Sequence, residues 1–149
     1  MVTCRPVKNV DAAAWTQLRQ ALWPDAVPGE HAEEVARYFA GTLREPIMVL
    51  LAEDGHGRPV GFVELSLRAY AEGCQSDNVA YVEGWYVGPE VRGRGVGRAL
   101  IEAAEDWARS QECTELASDA QLDDSASAAA HEACGFSDVG QIRCFRKVL

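Results

Sequence analysis

"VEGWYVGPEVRGRGVGRALI", residues 82–101, joins an apolar, aromatic run to an amphipathic helix through a turn dense in glycine and arginine. Gly93, Gly95 and Gly97 occupy that turn, interleaved with Arg92, Arg94 and Arg98, in a chain of formal net charge −9. The first amides of a helix have no intrahelical partners, and the helix dipole gives that end partial positive charge. Glycines there let an anionic group approach the backbone closely. The stretch therefore predicts a strand–turn–helix unit that serves a local anion on an otherwise acidic protein. Its spacing, Arg92-x-x-Gly95-x-Gly97, is neither GxxxxGK[ST] nor GxGxxG, since no Lys-Ser or Lys-Thr follows and residue 98 is Arg.

Outward from the turn, Val96, Ala99, Leu100, Ala103, Ala104 and Trp107 recur at helical spacing and predict a helix over 95–110. Before it, "VAYVEGWYV" reads as a strand rich in β-branched and aromatic residues. "PIMVLLAE" and "VGFVELSLRAY" read as a hairpin around "DGHGRP". Residues 2–7 predict a short strand, and Asp11 an N-cap for a helix through Leu22. A helix over 30–42 follows, with Ala32, Val35, Ala36 and Phe39 on its inner face. "CTELAS" predicts a strand, Ser125 to Ala133 a helix, and "GFSDVGQIRCFRKV" one or two closing strands. The expected fold is α/β: one domain over 1–149, with a mixed, mostly antiparallel sheet and helices on both faces.

Composition narrows the function. The 149 residues are 48% hydrophobic and 25% charged, which suits a globular chain with a proper core. No apolar run reaches membrane-spanning length, and the first residues lack the apolar core of a signal peptide, so a cytoplasmic protein is expected. Cys4, Cys74, Cys113, Cys134 and Cys144 form no CxxC pair, which predicts reduced, mostly interior thiols, no metal site and no convincing covalent nucleophile. The acidity argues against nucleic acid and fits a cationic small molecule. A cationic amine must be bound by acids and deprotonated before it attacks, and Glu83 and Asp119 sit at or near strand ends where a carboxylate could do both. Glu83 lies within an apolar strand, where an unpaired carboxylate is costly, so it is expected to be functional or paired.

The turn "VGPEVRGRGVGRALIEAAEDWA" resembles the acetyl-coenzyme A signature of the GNAT N-acetyltransferases. "LRQALWP", "YAEGC", "YVEGWYV", "LASD" and "AHEACGF" together resemble the aminoglycoside 6′-N-acetyltransferases over nearly the whole chain. The resemblance implies a GNAT fold whose strand before the turn splays from its neighbour to admit acetyl-coenzyme A. Gly93, Arg94, Gly95, Val96, Gly97 and the flanking Arg92 and Arg98 would cradle pyrophosphate, while Trp85, Tyr86 and Val87 would border pantetheine. Asp119 matches the general base, and Glu83 a substrate-binding acid that could help carry the proton. Trp23 and Tyr70 match aromatics that border the aminoglycoside. His131 matches a position read as structural.

Three positions depart from the subgroup. Asp124 stands where an Asn often bonds coenzyme A. Gly140 stands where a Glu touches substrate, leaving Asp138 as the nearest acid, and Phe145 where some relatives have Tyr. The fourth helix also lacks the Tyr that protonates the leaving thiolate in many GNAT enzymes, so the proton donor is unassigned and solvent could serve. The resemblance further implies a homodimer. Two other readings stand beside it: the same enzyme class acting on a polyamine or other cationic amine, and a protein that binds acyl-coenzyme A or aminoglycoside without turnover.

Overall fold

The computed structural model describes residues 1–149, and a five-stranded sheet organises it. The strands are β1 (Thr3–Pro6), β2 (Met48–Glu53), β3 (Pro59–Arg68), β4 (Val79–Val87) and β5 (Leu116–Ser118), side by side in chain order. The first three pairings are antiparallel and β4–β5 is parallel. A parallel pair needs a crossover, supplied by the turn and helix that the 82–101 stretch encodes. The helices are α1 (Ala12–Leu22), α2 (Glu30–Ala40), α3 (Val96–Ser110) and α4 (Ser125–Ala133).

Both faces of the central strands are covered, which is why β2 reads as a continuous apolar run. Val49 and Leu51 pack with Trp15 of α1, Val35 of α2 and Phe62. Their neighbours Leu50 and Ala52 pack on the opposite face with Val96, Leu100, Ile101 and Ala104 of α3.

The inner stripe of α2 differs from expectation. His31 and Val35 are its buried residues, whereas Ala32 and Ala36 are exposed. The stripe is displaced because His31 and Glu34 turn inward to bind Arg19, contacts that a count of apolar residues does not register. Asp11 does not cap α1 with its side chain either. Its carboxylate takes two bonds from Arg5 and one from the Lys8 amide. Of the cysteines, all free, only Cys113 is buried; Cys144 is exposed and the others are intermediate.

The closing strands are also absent. Gly135 (φ +92°) and Gly140 (φ +139°) turn the chain, and no backbone hydrogen bond joins residues 137–149 to the sheet. A strand requires a partner edge, and this segment lies against none within the chain. Val139, Ile142, Phe145, Val148 and Leu149 consequently stay exposed. No helix is long and apolar enough to cross a membrane.

Candidate active site

The register of β3 and β4 shifts once, at Glu64/Leu65. Glu64 is opposite Gly84 and Leu65 opposite Val82, so Glu83 is an extra residue on β4 with no direct counterpart. A bulge of this kind kinks a strand and re-aims side chains. Before it, Ala80 and Val82 belong to the α3 side of the sheet; after it, Trp85 and Val87 do. The parity changes across Glu83–Gly84, and both residues turn toward the side of α1. Glu83 meets Arg68 and Ser66 there: Arg68 Nε and Nη2 donate to its carboxylate at 3.0 Å and 2.8 Å, and the Ser66 hydroxyl donates at 2.8 Å. The expectation that this carboxylate would be functional or paired is answered first by a pair.

Asp119 follows directly on β5 and is exposed. It is not a helix cap. The Tyr81 hydroxyl donates to its carboxylate at 2.5 Å, and the Arg68 guanidinium lies 3.5 Å from the Tyr81 ring centroid. Burial and the Asp119 charge raise the Tyr81 phenol well above its ordinary value, so the proton stays on tyrosine and the carboxylate accepts. Glu83 and Asp119 are therefore linked through Arg68 and Tyr81. Nothing in the sequence singles out Tyr81, Ser66 or Arg68; Gly84 beside Glu83, a glycine inside a strand, is the local sign of a bulge.

The β4–β5 pairing covers only Ala80, Tyr81 and Val82 against Leu116, Ala117 and Ser118. Beyond it, residues 83–87 run on without a neighbour on that edge, leaving backbone groups free for an extended ligand. Trp85, Tyr86 and Val87 lie along this stretch. The Trp85 indole Nε1 is buried and has no hydrogen-bond partner in the chain, an uncommon condition for a buried donor.

The strand leads through a short 3-10 turn (Pro89–Val91) to Gly93 and Gly95, which adopt φ +77° and +83°. A left-handed residue is unfavourable with a side chain, and nothing lies within 4 Å of the Cβ position at either glycine, so the turn is open. No side chain caps α3. Gly97 packs against strand β4, its Cβ position 3.2 Å from the Trp85 ring. The arginines divide their tasks. Arg92 donates to the Val87 carbonyl at 2.8 Å, Arg98 to the Ala133 carbonyl at the end of α4, and Arg94 makes no side-chain hydrogen bond. Open amides, a positive dipole and an uncommitted cation fit a phosphate-like anion.

Trp23, at the end of α1, lies over Gly84: a Cβ there would sit 2.5 Å and 2.8 Å from its ring atoms. Beneath it is a buried polar array. Arg19 donates to both Glu64 oxygens at 3.1 Å and 2.9 Å, to Glu34, and through Nε to His31 Nδ1 at 3.2 Å. Trp15 Nε1 also donates to Glu64, at 3.0 Å. His31 Nδ1 accepts, so its other nitrogen carries the proton and donates to the Trp23 carbonyl at 3.0 Å.

The remaining predicted positions are more loosely placed. Tyr70 is exposed at the start of the loop after β3. Asp124 caps α4, accepting the Ser127 amide at 3.0 Å. Asp138 is exposed and accepts the Gly140 amide at 3.0 Å. His131 is bonded at 2.7 Å to both Ser118 Oγ and the Ser127 carbonyl, and packs edge-on to Trp85 and Phe136. No group of His, Cys, Asp or Glu is arranged to hold a metal ion. Burial pushes the thiols of Cys4, Cys74, Cys113 and Cys134 above the ordinary cysteine range, which disfavours the nucleophilic thiolate.

Comparison with known proteins sets this geometry in a family. The profile of the acetyltransferase (GNAT) family matches residues 15–136. An aminoglycoside N(6′)-acetyltransferase type 1 of Klebsiella aerogenes is 53% identical over 97% of this chain and 95% of its own length. One from Stenotrophomonas maltophilia is 44% identical over 99% and 94%. Among solved structures, AAC(6′)-Iy in complex with the bisubstrate analogue CoA-S-monomethyl-acetylneamine superposes with a TM-score of 0.91 at 29% identity, covering 100% of this chain and 99% of that one. AAC(6′)-Ih from Acinetobacter baumannii gives 0.89 at 32%, with the same coverage. With its glycine turn, its parting β4–β5 pair and these matches along nearly its whole length, the chain belongs to the acetyltransferase (GNAT) family.

Proposed function

We propose that this chain transfers acetyl from acetyl-coenzyme A directly to the 6′-amine of an aminoglycoside. The bulge at Glu83 carries the reading, because it turns a second carboxylate toward the one that Tyr81 orients, on the strand that leads into the anion-holding turn. The amides from Gly93 to Arg98, with Arg92 and Arg94 alongside, hold pyrophosphate, and Trp85, Tyr86 and Val87 border pantetheine. The orphaned Trp85 indole fits a ligand acceptor here. Asp124 keeps one carboxylate oxygen for pantetheine beyond its capping bond. Trp23 and Tyr70 border the aminoglycoside, and Asp138 supplies a further acid.

Asp119 takes the proton from the acceptor's ammonium, directly or through water, while Glu83 binds cationic substrate and assists. The freed amine nitrogen forms a bond to the thioester carbonyl carbon, the C–S bond breaks, and the thiolate takes a proton from solvent. The raised cysteine thiols support direct transfer over an acetyl-enzyme. We also propose that the chain works in the cytoplasm as a homodimer of single domains spanning 1–149. The exposed apolar side chains of residues 139–149 support the dimer, and size-exclusion with light scattering tests it.

Thiol release from acetyl-coenzyme A, measured with neomycin and with paromomycin, tests the acceptor, because the two differ at the 6′ position as amine against hydroxyl. Turnover with neomycin alone is expected. Equal turnover would place the acetyl group on another amine. Turnover with neither would favour a polyamine acceptor, or binding without catalysis.

A further inference from the structure

Glu83 meets a cation within its own chain. Arg68, the last residue of β3, grips the Glu83 carboxylate through two nitrogens, and the Ser66 hydroxyl is a third donor to it. The chain holds a second acid–guanidinium pair close by, and the two differ in access. The Arg19 and Glu64 side chains are 5% and 3% exposed, whereas Arg68 and Glu83 are 38% and 19% exposed. The first pair is sealed beneath α1 and α2. The second opens where an ammonium would arrive.

We infer that Arg68 is an internal counter-cation that occupies Glu83 and gives it up only in exchange for the ammonium of an acceptor, which makes Arg68 a specificity-determining residue for polycationic acceptors. The inference rests on the reading of Glu83 as an acceptor-binding carboxylate.

Three features make the exchange feasible. Arg68 has a long side chain on the final residue of its strand, so its head can move without unpairing the sheet. The guanidinium already lies over the Tyr81 ring, and a cation–π contact persists when the carboxylate turns away. Glu45 is also near enough to act electrostatically on Arg68, so a displaced guanidinium has a second acid to face.

The exchange discriminates by charge. A monocationic amine trades one cation for another at Glu83 and gains no net pairing there. A polycation recovers the lost pair through further ammonium groups beside other acids of the cleft, such as Asp138. Partly exposed pairs are weak, so the barrier is a few-fold in affinity. That is enough to disfavour simple amines without excluding an aminoglycoside.

The test compares the full-length wild-type chain, Arg68→Ala and Arg68→Lys. The acceptors are neomycin and methyl 6-amino-6-deoxyglucoside, which presents the same kind of amine with a single charge. Removing Arg68 is expected to lower KM for the monocationic sugar roughly three- to tenfold and for neomycin by less, with KM for acetyl-coenzyme A unchanged. In Arg68→Ala, guanidinium chloride at non-denaturing concentration is expected to raise acceptor KM again, while sodium chloride at equal ionic strength has a smaller effect. Arg68→Lys, which keeps the charge and loses the two-nitrogen grip, shifts KM in the same direction by less and serves as the readout if the alanine variant does not fold.

An acceptor KM that rises on removing Arg68 and falls with guanidinium makes Arg68 a group that positions Glu83, and overturns the inference. So does an unchanged KM. If the wild-type chain acetylates neither amine while still binding acetyl-coenzyme A, the acceptor reading fails and the role of Arg68 with it.

Discussion

The Tyr81 hydroxyl donates to the Asp119 carboxylate at 2.5 Å, at the place where β4 and β5 cease to pair. Tyr81 is buried and its phenol is raised far above neutral pH, so it acts as a fixed donor that aims an otherwise exposed carboxylate. Asp119→Asn keeps the shape and removes the proposed base, and a fall in kcat of about two orders of magnitude or more is expected. Acetyl-coenzyme A affinity by calorimetry should be nearly unchanged. Tyr81→Phe removes only the aiming bond, and its kcat/KM should fall roughly ten- to a hundredfold. Loss of cofactor binding in Asp119→Asn would make that residue a structural support of β5.

Gly84 gives Trp23 its place. A methyl group at residue 84 would sit 2.5 Å from the Trp23 ring, and Leu22 follows at 3.5 Å. Gly84→Ala therefore moves the indole or the end of α1, at a cost of about 1–3 kcal/mol, the usual range for overpacking. Acceptor KM should rise several-fold while KM for acetyl-coenzyme A holds. A variant with unchanged acceptor KM would remove Trp23 from the acceptor surface.

How much of this was legible follows from what each feature depends on. The strand–turn–helix unit is local: glycines that need a left-handed backbone, an apolar stripe at helical spacing and an aromatic strand all lie within residues 79–110. The structure returns the helix within one residue of its expected start. The bulge at Glu83 is not local, because it exists only in the pairing with β3. From sequence, Glu83 could be judged costly if unpaired, but Arg68 and Ser66 lie on another strand. The inner face of α2 escapes a count of apolar residues for a related reason: buried His31 and the Glu34 beside it are polar, and they are satisfied by Arg19 from α1. The C-terminal run carries strand-like composition, yet composition does not supply an edge to pair with.

Gly95 must take a left-handed backbone (φ +83°) immediately before α3. A β-branched residue there is strained by about 1–2 kcal/mol and its side chain would stand in the open turn. Gly95→Val is expected to weaken acetyl-coenzyme A binding at least tenfold by calorimetry while leaving the sheet folded. Acceptor binding, measured in the same variant, should change much less. Equal losses for both ligands would mean that the turn organises the whole cleft and not the anion alone.

Glu64 gives the fold a pH dependence whose sign can be worked out. Burial pushes its carboxyl up to about 7 from an ordinary 4.5, and the Arg19 charge and the Trp15 indole only partly pull it back. Between those values the unfolded chain has released this proton while the folded chain still holds it. Folding then binds more protons than unfolding, so the Glu64 contribution is fully present below about 4.5 and is lost as pH rises toward 7. The loss is of order 3 kcal/mol. Glu64→Gln cannot titrate, so its stability curve should lack this fall. Urea unfolding of both proteins across pH 4.5–7.5 measures the difference. If the two curves stay parallel through that window, Glu64 is ionised throughout and Arg19 has fully offset its burial.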